Sequence, residues 1–81
     1  MKSAVSLKNI LKPLIIDVLR DNTSMYGYQI TQEVEKLTLG NIQLSYGAVY
    51  PILIYLEKTN QINSEKVWVN NRFRIYYKLI Q

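Results

Sequence analysis

Apolar residues along the chain change their period once, and that change divides it into two parts. Between Leu7 and Leu19 six apolar residues, Leu7, Leu11, Leu14, Ile15, Val18 and Leu19, follow one another at steps of 4, 3, 1, 3 and 1. That spacing lines one face of a helix. Pro13 falls inside the pattern and either starts its well-formed part or kinks it, because proline has no N–H to donate. A polar, turn-prone stretch, Arg20 to Ser24, follows. A second helix is expected from near Ser24, with Thr23 or Ser24 as its cap. Its stripe is Ile30, Val34 and Leu37, and Gln32, Glu33, Glu35 and Lys36 lie on the water side. Gly40 suits a left-handed helix end. Ile42 and Leu44, alternating about Gln43, predict a very short strand.

A third helix is expected from Ser45, a good N-cap, with Val49, Ile52, Leu53 and Leu56 as its apolar stripe. Its other side is unusual. Gly47, Ala48 and Pro51 make a patch of low relief, flanked by Tyr46, Tyr50 and Tyr55. Glycine and proline inside a helix cost about 1 and up to about 3 kcal/mol. A helix that tolerates both near its start is suited to close approach, by another element of the domain or by a partner. Beyond Asn63 the period becomes two. Val67 and Val69 alternate with Lys66 and Trp68, and Phe73, Ile75, Tyr77 and Leu79 alternate with Arg74, Tyr76, Lys78 and Ile80. Asn70-Asn71 separates the runs, and asparagine tolerates the positive φ of a tight hairpin turn. The hairpin's second strand presents one apolar and one basic face. Tyr77 is expected in the core, Tyr76 partly exposed, and Trp68 packed within the hairpin.

Charge sharpens this picture. The chain has 81 residues and a formal net charge of +4, with an isoelectric point of about 9.4. Acidic and basic groups balance over residues 1–65. Lys66, Arg72, Arg74 and Lys78 then follow with no acid, so the whole excess lies in the last sixteen residues. Such a segment attracts polyanions. Composition also excludes much. Without cysteine or histidine there are no disulfides, no Cys-His or Ser-His-Asp catalysis and no zinc finger. Three glycines, Gly27, Gly40 and Gly47, cannot write a dinucleotide or nucleotide-phosphate loop. Asp17, Asp21, Glu33 and Glu35 are spaced as solvated helix faces, so no metal and no cofactor are expected. No apolar run approaches the roughly 20 residues of a membrane span, and no leader peptide is legible. The chain reads as a cytoplasmic binding module, not an enzyme.

Three short helices followed by a basic hairpin make an α+β, mainly helical winged helix-turn-helix, with a two-stranded wing. The residues themselves then resemble a known family. Met25-Tyr26-Gly27-Tyr28-Gln29-Ile30, Leu44-Ser45-Tyr46-Gly47-Ala48-Val49-Tyr50-Pro51-Ile52-Leu53, Leu56-Glu57-Lys58 and Arg72-Phe73-Arg74-Ile75-Tyr76-Tyr77-Lys78-Leu79 resemble, in order and spacing, the PadR family of bacterial transcriptional regulators. The resemblance implies a single winged-helix domain over residues 1–81 and a repressor that binds near-palindromic double-stranded DNA as a homodimer in the nucleoid. Carried over by position, it implies that Ser45, Tyr46, Gly47, Ala48, Tyr50 and Pro51 lie at the major groove. Tyr26 would contact backbone phosphate, and Arg72 and Arg74 the phosphates or minor groove beside the wing; Lys66, from the basic end of the chain, is a further DNA-binding candidate. Tyr46 stands where the family usually has proline, Ala48 where it has a hydroxyl residue, and Asn71 and Phe73 replace the glycine and proline of the wing. The family's C-terminal helices, which carry much of the dimer contact and in some members a small-molecule pocket, are expected to be absent. The resemblance therefore carries over no small-molecule effector. The homodimer is expected through the N-terminal helix, where Ala4, Val5, Leu7, Ile10, Leu11 and Ile16 offer more apolar surface than one stripe buries, with Leu79 and Ile80 contributing. The alternatives are a winged-helix protein-interaction module and an architectural DNA-binding accessory protein.

Overall fold

The computed structural model describes residues 7–80, with side chains from residue 9 onward. Helix α1 (Leu7–Asp21) is followed by a two-residue strand β1 (Met25–Tyr26), helix α2 (Gly27–Leu37), helix α3 (Tyr46–Lys58) and a hairpin of β2 (Ile62–Val69) and β3 (Arg72–Leu79). The strands form one antiparallel sheet in the order β1-β3-β2. The winged helix-turn-helix is thus present, and its sheet gains a third strand. Met25 pairs with Tyr77 and Tyr26 with Tyr76. This pairing corrects the expected start of the second helix. The backbone of Met25 and Tyr26 is taken up by β3, so α2 begins at Gly27 with Tyr26 as its N-cap residue, and neither Thr23 nor Ser24 caps it. The Gln29 Oε1 accepts the Tyr26 N–H at 3.1 Å, filling part of the role of a capping box.

The apolar stripes meet in one core. Leu11, Ile15, Val18 and Leu19 of α1, Ile30 and Val34 of α2, and Val49, Ile52, Leu53 and Leu56 of α3 are buried together with Met25, Ile62 and Tyr77. α1 runs through Pro13, which is exposed. Leu37, expected on the α2 stripe, is half exposed. The helix ends there, and Thr38 turns the chain, its hydroxyl donating to the Val34 carbonyl and accepting the Ile42 N–H. Leu39 and Gly40 then take positive φ values of 57° and 81°, which turn the chain sharply away from the helix axis. Ile42 and Leu44 do not form a strand. They have no pairing partner and instead press half-buried side chains onto the core. Ile16, expected to face outward on α1, also packs against the core. Ala4 and Val5, named for a dimer contact, lie outside the described residues, as do Lys2 and the side chains of Leu7 and Lys8.

Asn70 and Asn71 adopt φ values of 50° and 64°, the pair of left-handed residues a two-residue hairpin turn requires. In the resulting register Trp68 faces Phe73, Lys66 faces Ile75, Ser64 faces Tyr77 and Ile62 faces Leu79. Alternation puts these eight residues on one face of the hairpin. The inner end of that face, at Ile62 and Tyr77, closes the core, whereas Trp68, Phe73 and Ile75 at the outer end are exposed.

Candidate nucleic-acid interface

The start of α3 is fixed by a local bond: Ser45 Oγ accepts the Ala48 N–H at 3.3 Å, as an N-cap should. With Val49, Ile52 and Leu53 turned into the core, the helix shows Gly47, Tyr50 and Pro51 to solvent and leaves Ala48 half-buried. A Cβ on Gly47 would meet only Ser45 Oγ, at 3.7 Å. Backbone and small side chains therefore form the outer surface of this turn, which is what close approach to base edges demands.

Tyr46 behaves differently from its neighbours. Its ring lies on Gly27, so closely that a Cβ there would fall inside the ring's van der Waals surface. Its hydroxyl is 3.4 Å from that of buried Tyr77, and its ring is 5.5 Å from that of Tyr50. Burial, and then the hydrogen bond to Tyr46, pushes the Tyr77 phenol well above the ordinary tyrosine range. Tyr46 thus joins the starts of α2 and α3 across Gly27 and turns only part of its surface outward.

The wing sorts its cations by face. Arg72, Arg74, Tyr76 and Lys78 share the face away from the core, by alternation along β3. There the Arg74 guanidinium lies 4.3 Å from the centroid of the Tyr26 ring, a cation–π distance. The Tyr26 and Tyr76 rings meet edge to face at 5.5 Å. β1, which no apolar pattern announces, is what brings Tyr26 beside Arg74. Lys66 is on the opposite face, its ammonium 5.2 Å from the Phe73 ring centroid. The structure therefore brings Tyr26 and Arg74 together, places Arg72 on their face, and separates Lys66 from them. A groove runs between the start of α2 and the wing, with Gly27, Tyr28 and Tyr46 on one side and Arg72, Phe73 and Ile75 on the other. Tyr28 and Phe73 are not among the residues that the sequence assigns to the interface. The signal for Tyr28 is a tyrosine off the α2 stripe; for Phe73 it is an aromatic next to a turn, too far out to reach a core.

Comparison with known proteins agrees with this architecture. The sequence model of the PadR-like transcriptional regulator family matches residues 15–81. The transcriptional regulator YqjI of Escherichia coli (strain K12) is 36% identical over 52 residues, covering 64% of this chain and 25% of that protein. The chain thus spans about a quarter of the length of the curated relatives it matches. Among solved structures, a PadR-like transcription factor from Bacteroides fragilis superposes with a TM-score of 0.75 at 28% identity, over 90% of this chain and 68% of that one. Pex from Synechococcus sp. does so with a TM-score of 0.78 at 29% identity, over 95% and 68%.

Proposed function

Because the chain belongs to the PadR-like family of transcriptional regulators, we propose that it binds double-stranded DNA in a sequence-dependent way and represses transcription, without enzymatic activity. The observation that carries this reading is the pairing of two surfaces. The first turns of α3 are low, with Gly47 and Pro51 exposed and Ala48 half-buried between them, and the neighbouring wing holds Lys66, Arg72, Arg74 and Lys78 against one acid, Glu65. α3 enters the major groove by its N-terminal turns, where Ser45, Gly47, Ala48, Tyr50 and Pro51 meet base edges and Tyr46 adds its exposed edge. Arg72 and Arg74 neutralise backbone phosphates, with the Tyr26 hydroxyl donating to a phosphate oxygen beside Arg74. Lys66 approaches the backbone from the other side of the wing. Charged contacts of this kind release counterions, so affinity falls steeply with salt.

The proposal includes a homodimer on a near-palindromic operator, with half-sites about one helical turn apart, in the cytoplasm at the nucleoid. Among the described residues no helix is long and apolar enough to cross a membrane. Ile10, exposed on α1, supports an N-terminal contact; Ile16, packed on the core, contributes less than the sequence pattern indicates. Selection of bound duplexes from random DNA tests the reading. Enrichment of an inverted repeat is the expected result, and no enrichment overturns sequence-specific binding in favour of an architectural or protein-binding role. Sedimentation with the enriched duplex tests the assembly: two chains per duplex are expected, a strict monomer removes the dimer, and Ile10→Lys weakens the pair if α1 forms the contact.

A further inference from the structure

The outer end of the wing carries an aromatic pair that the core does not use. Trp68 and Phe73 stand opposite each other in the hairpin register and meet edge to face, with centroids 4.8 Å apart. They remain 60% and 59% exposed, and Ile75 beside them is 40% exposed. Cross-strand packing accounts for their contact with each other. It does not account for the large apolar area they leave in water, on the same face that buries Ile62 and Tyr77 at its inner end. Phe73 and Ile75 of that face line the groove whose far side includes Gly27, Tyr28 and Tyr46, the last being the first residue of α3, and Trp68 lies next to Phe73.

Charge identifies the occupant. Lys66 borders the pair on its own face, Arg72 and Arg74 stand on the other face of β3, and against these cations and Lys78 the hairpin sets one acid, Glu65, opposite Tyr76. The extreme tip is Asn70-Asn71, two amides that suit base edges and gain nothing from lipid. We propose, resting on the DNA-binding reading above, that Trp68 and Phe73 pack as an apolar wedge against deoxyribose and base edges in the minor groove next to the α3 site. The wedge contributes affinity that does not depend on salt and favours A·T-rich sequence with flexible TA steps. Two features of DNA give this preference. The guanine N2 amino group crowds the minor-groove floor. Pyrimidine–purine steps open most easily, and apolar side chains are the usual wedges between base steps.

Trp68 is the chain's single tryptophan, so its emission reports the contact directly. The full chain is titrated with a TA-rich duplex, a G·C-rich duplex of equal length and phosphatidylglycerol vesicles. Affinities of wild type, Trp68→Ala and Phe73→Ala are then measured across a salt series with labelled duplexes. Quenching of Trp68 by the TA-rich duplex is expected. Each variant should bind that duplex about tenfold more weakly at every salt concentration, with an unchanged salt slope and a diminished preference over the G·C duplex. Phe73→Ala keeps the tryptophan, so the emission assay holds even if Trp68→Ala perturbs the hairpin. Duplex binding with Trp68 emission unmoved, or a flattened salt slope in the variants, overturns the wedge and leaves the DNA-binding reading intact. Emission that responds to vesicles and not to either duplex overturns it in favour of a membrane surface. Failure to bind any duplex overturns both.

Discussion

The two helices of the helix-turn-helix each carry a glycine in the first turn, and the two glycines sit in opposite surroundings. Gly27, the first residue of α2, is buried beneath the ring of Tyr46, and no Cβ fits there unless that ring moves. Gly47, the second residue of α3, is open; a Cβ there makes one ordinary contact, with Ser45 Oγ at 3.7 Å. Both positions forgo the helix-forming advantage of alanine, worth about 1 kcal/mol in a helix interior and less near an end. At Gly27 the reason is inside the molecule: α2 and α3 start so close together that an aromatic ring fills the space a side chain would take. At Gly47 nothing inside the molecule asks for glycine. Smallness at an open helix start is explained by a partner, and the low relief around it at Ala48 and Pro51 fits a duplex. On the DNA-binding proposal, the contrast separates packing from function at two residues of the same type.

The sharpest way to break this contrast is to fill the open site with the wrong charge. Gly47→Glu should leave the fold intact, because the position has room and an acidic residue in the first turn suits the helix dipole. The added carboxylate would meet phosphates and base edges at close range. Duplex affinity is expected to fall by at least about 100-fold, or about 2.7 kcal/mol, with helical circular dichroism unchanged. A folded variant that keeps wild-type affinity would show that this turn does not meet DNA.

Gly27→Ala tests the other half. The methyl group must displace Tyr46 and, with it, the contact to Tyr77. Overpacking of this kind costs about 1–3 kcal/mol, read as a lower urea midpoint. A double-mutant cycle with Tyr46→Ala assigns the cause. If the ring is the obstacle, the alanine at 27 should cost far less once the ring is gone. Additive effects would move the origin of the strain away from Tyr46.

Gly27 also shows where sequence patterns stop. The α3 stripe, the Ser45 cap and the Asn70-Asn71 turn are legible because each depends on residues next to one another: an apolar period, one hydroxyl, two amides tolerant of positive φ. The start of α2 is not, since β1 is two residues long and exists only through pairing with Tyr76 and Tyr77, some fifty positions away. The family resemblance assigns Tyr46 to the proposed DNA face, but its ring is drawn onto Gly27 by an approach that no periodicity encodes. The wing makes the same point within one strand. Phe73, Ile75, Tyr77 and Leu79 alternate without a break, yet Tyr77 is buried and Phe73 and Ile75 are exposed. A period of two fixes which face a residue is on; where the body of the domain ends along that face is set by helices elsewhere in the chain. The candidate site is therefore legible as a set of residue types, and its division into outward Gly47, inward Tyr46 and a two-faced wing is not.

A smaller effect is expected from the wing's basic face, which differs from the α3 turn in carrying charge without shape. Arg72→Ala combined with Arg74→Ala should weaken binding to all duplexes alike and reduce the salt slope by roughly one unit for each phosphate that is no longer neutralised. The relative ranking of sequences should stay as it was, because the proposal assigns base readout to α3. A change of ranking would give the wing a part in specificity. Wild-type binding across the salt series would remove these arginines from the interface.

The mildest substitution puts the whole contrast on one residue. Gly47→Ala adds a single methyl group at a position with space for it, so stability should rise by a few tenths of a kcal/mol, up to about 1. If the glycine is there to let a duplex approach, the same methyl should weaken operator binding several-fold, giving opposite signs in the two assays on one variant. Gly27→Ala should not show this split, because its cost falls on the fold first. The measurement is a urea unfolding curve beside a duplex titration, both on the full chain. Higher stability with unchanged affinity would mean that Gly47 answers to nothing outside the molecule, and the low relief of α3 would lose its functional explanation. Lower stability would mean that the turn is more crowded than its 3.7 Å contact indicates. Only the split result keeps both glycines explained, one by Tyr46 and the other by DNA.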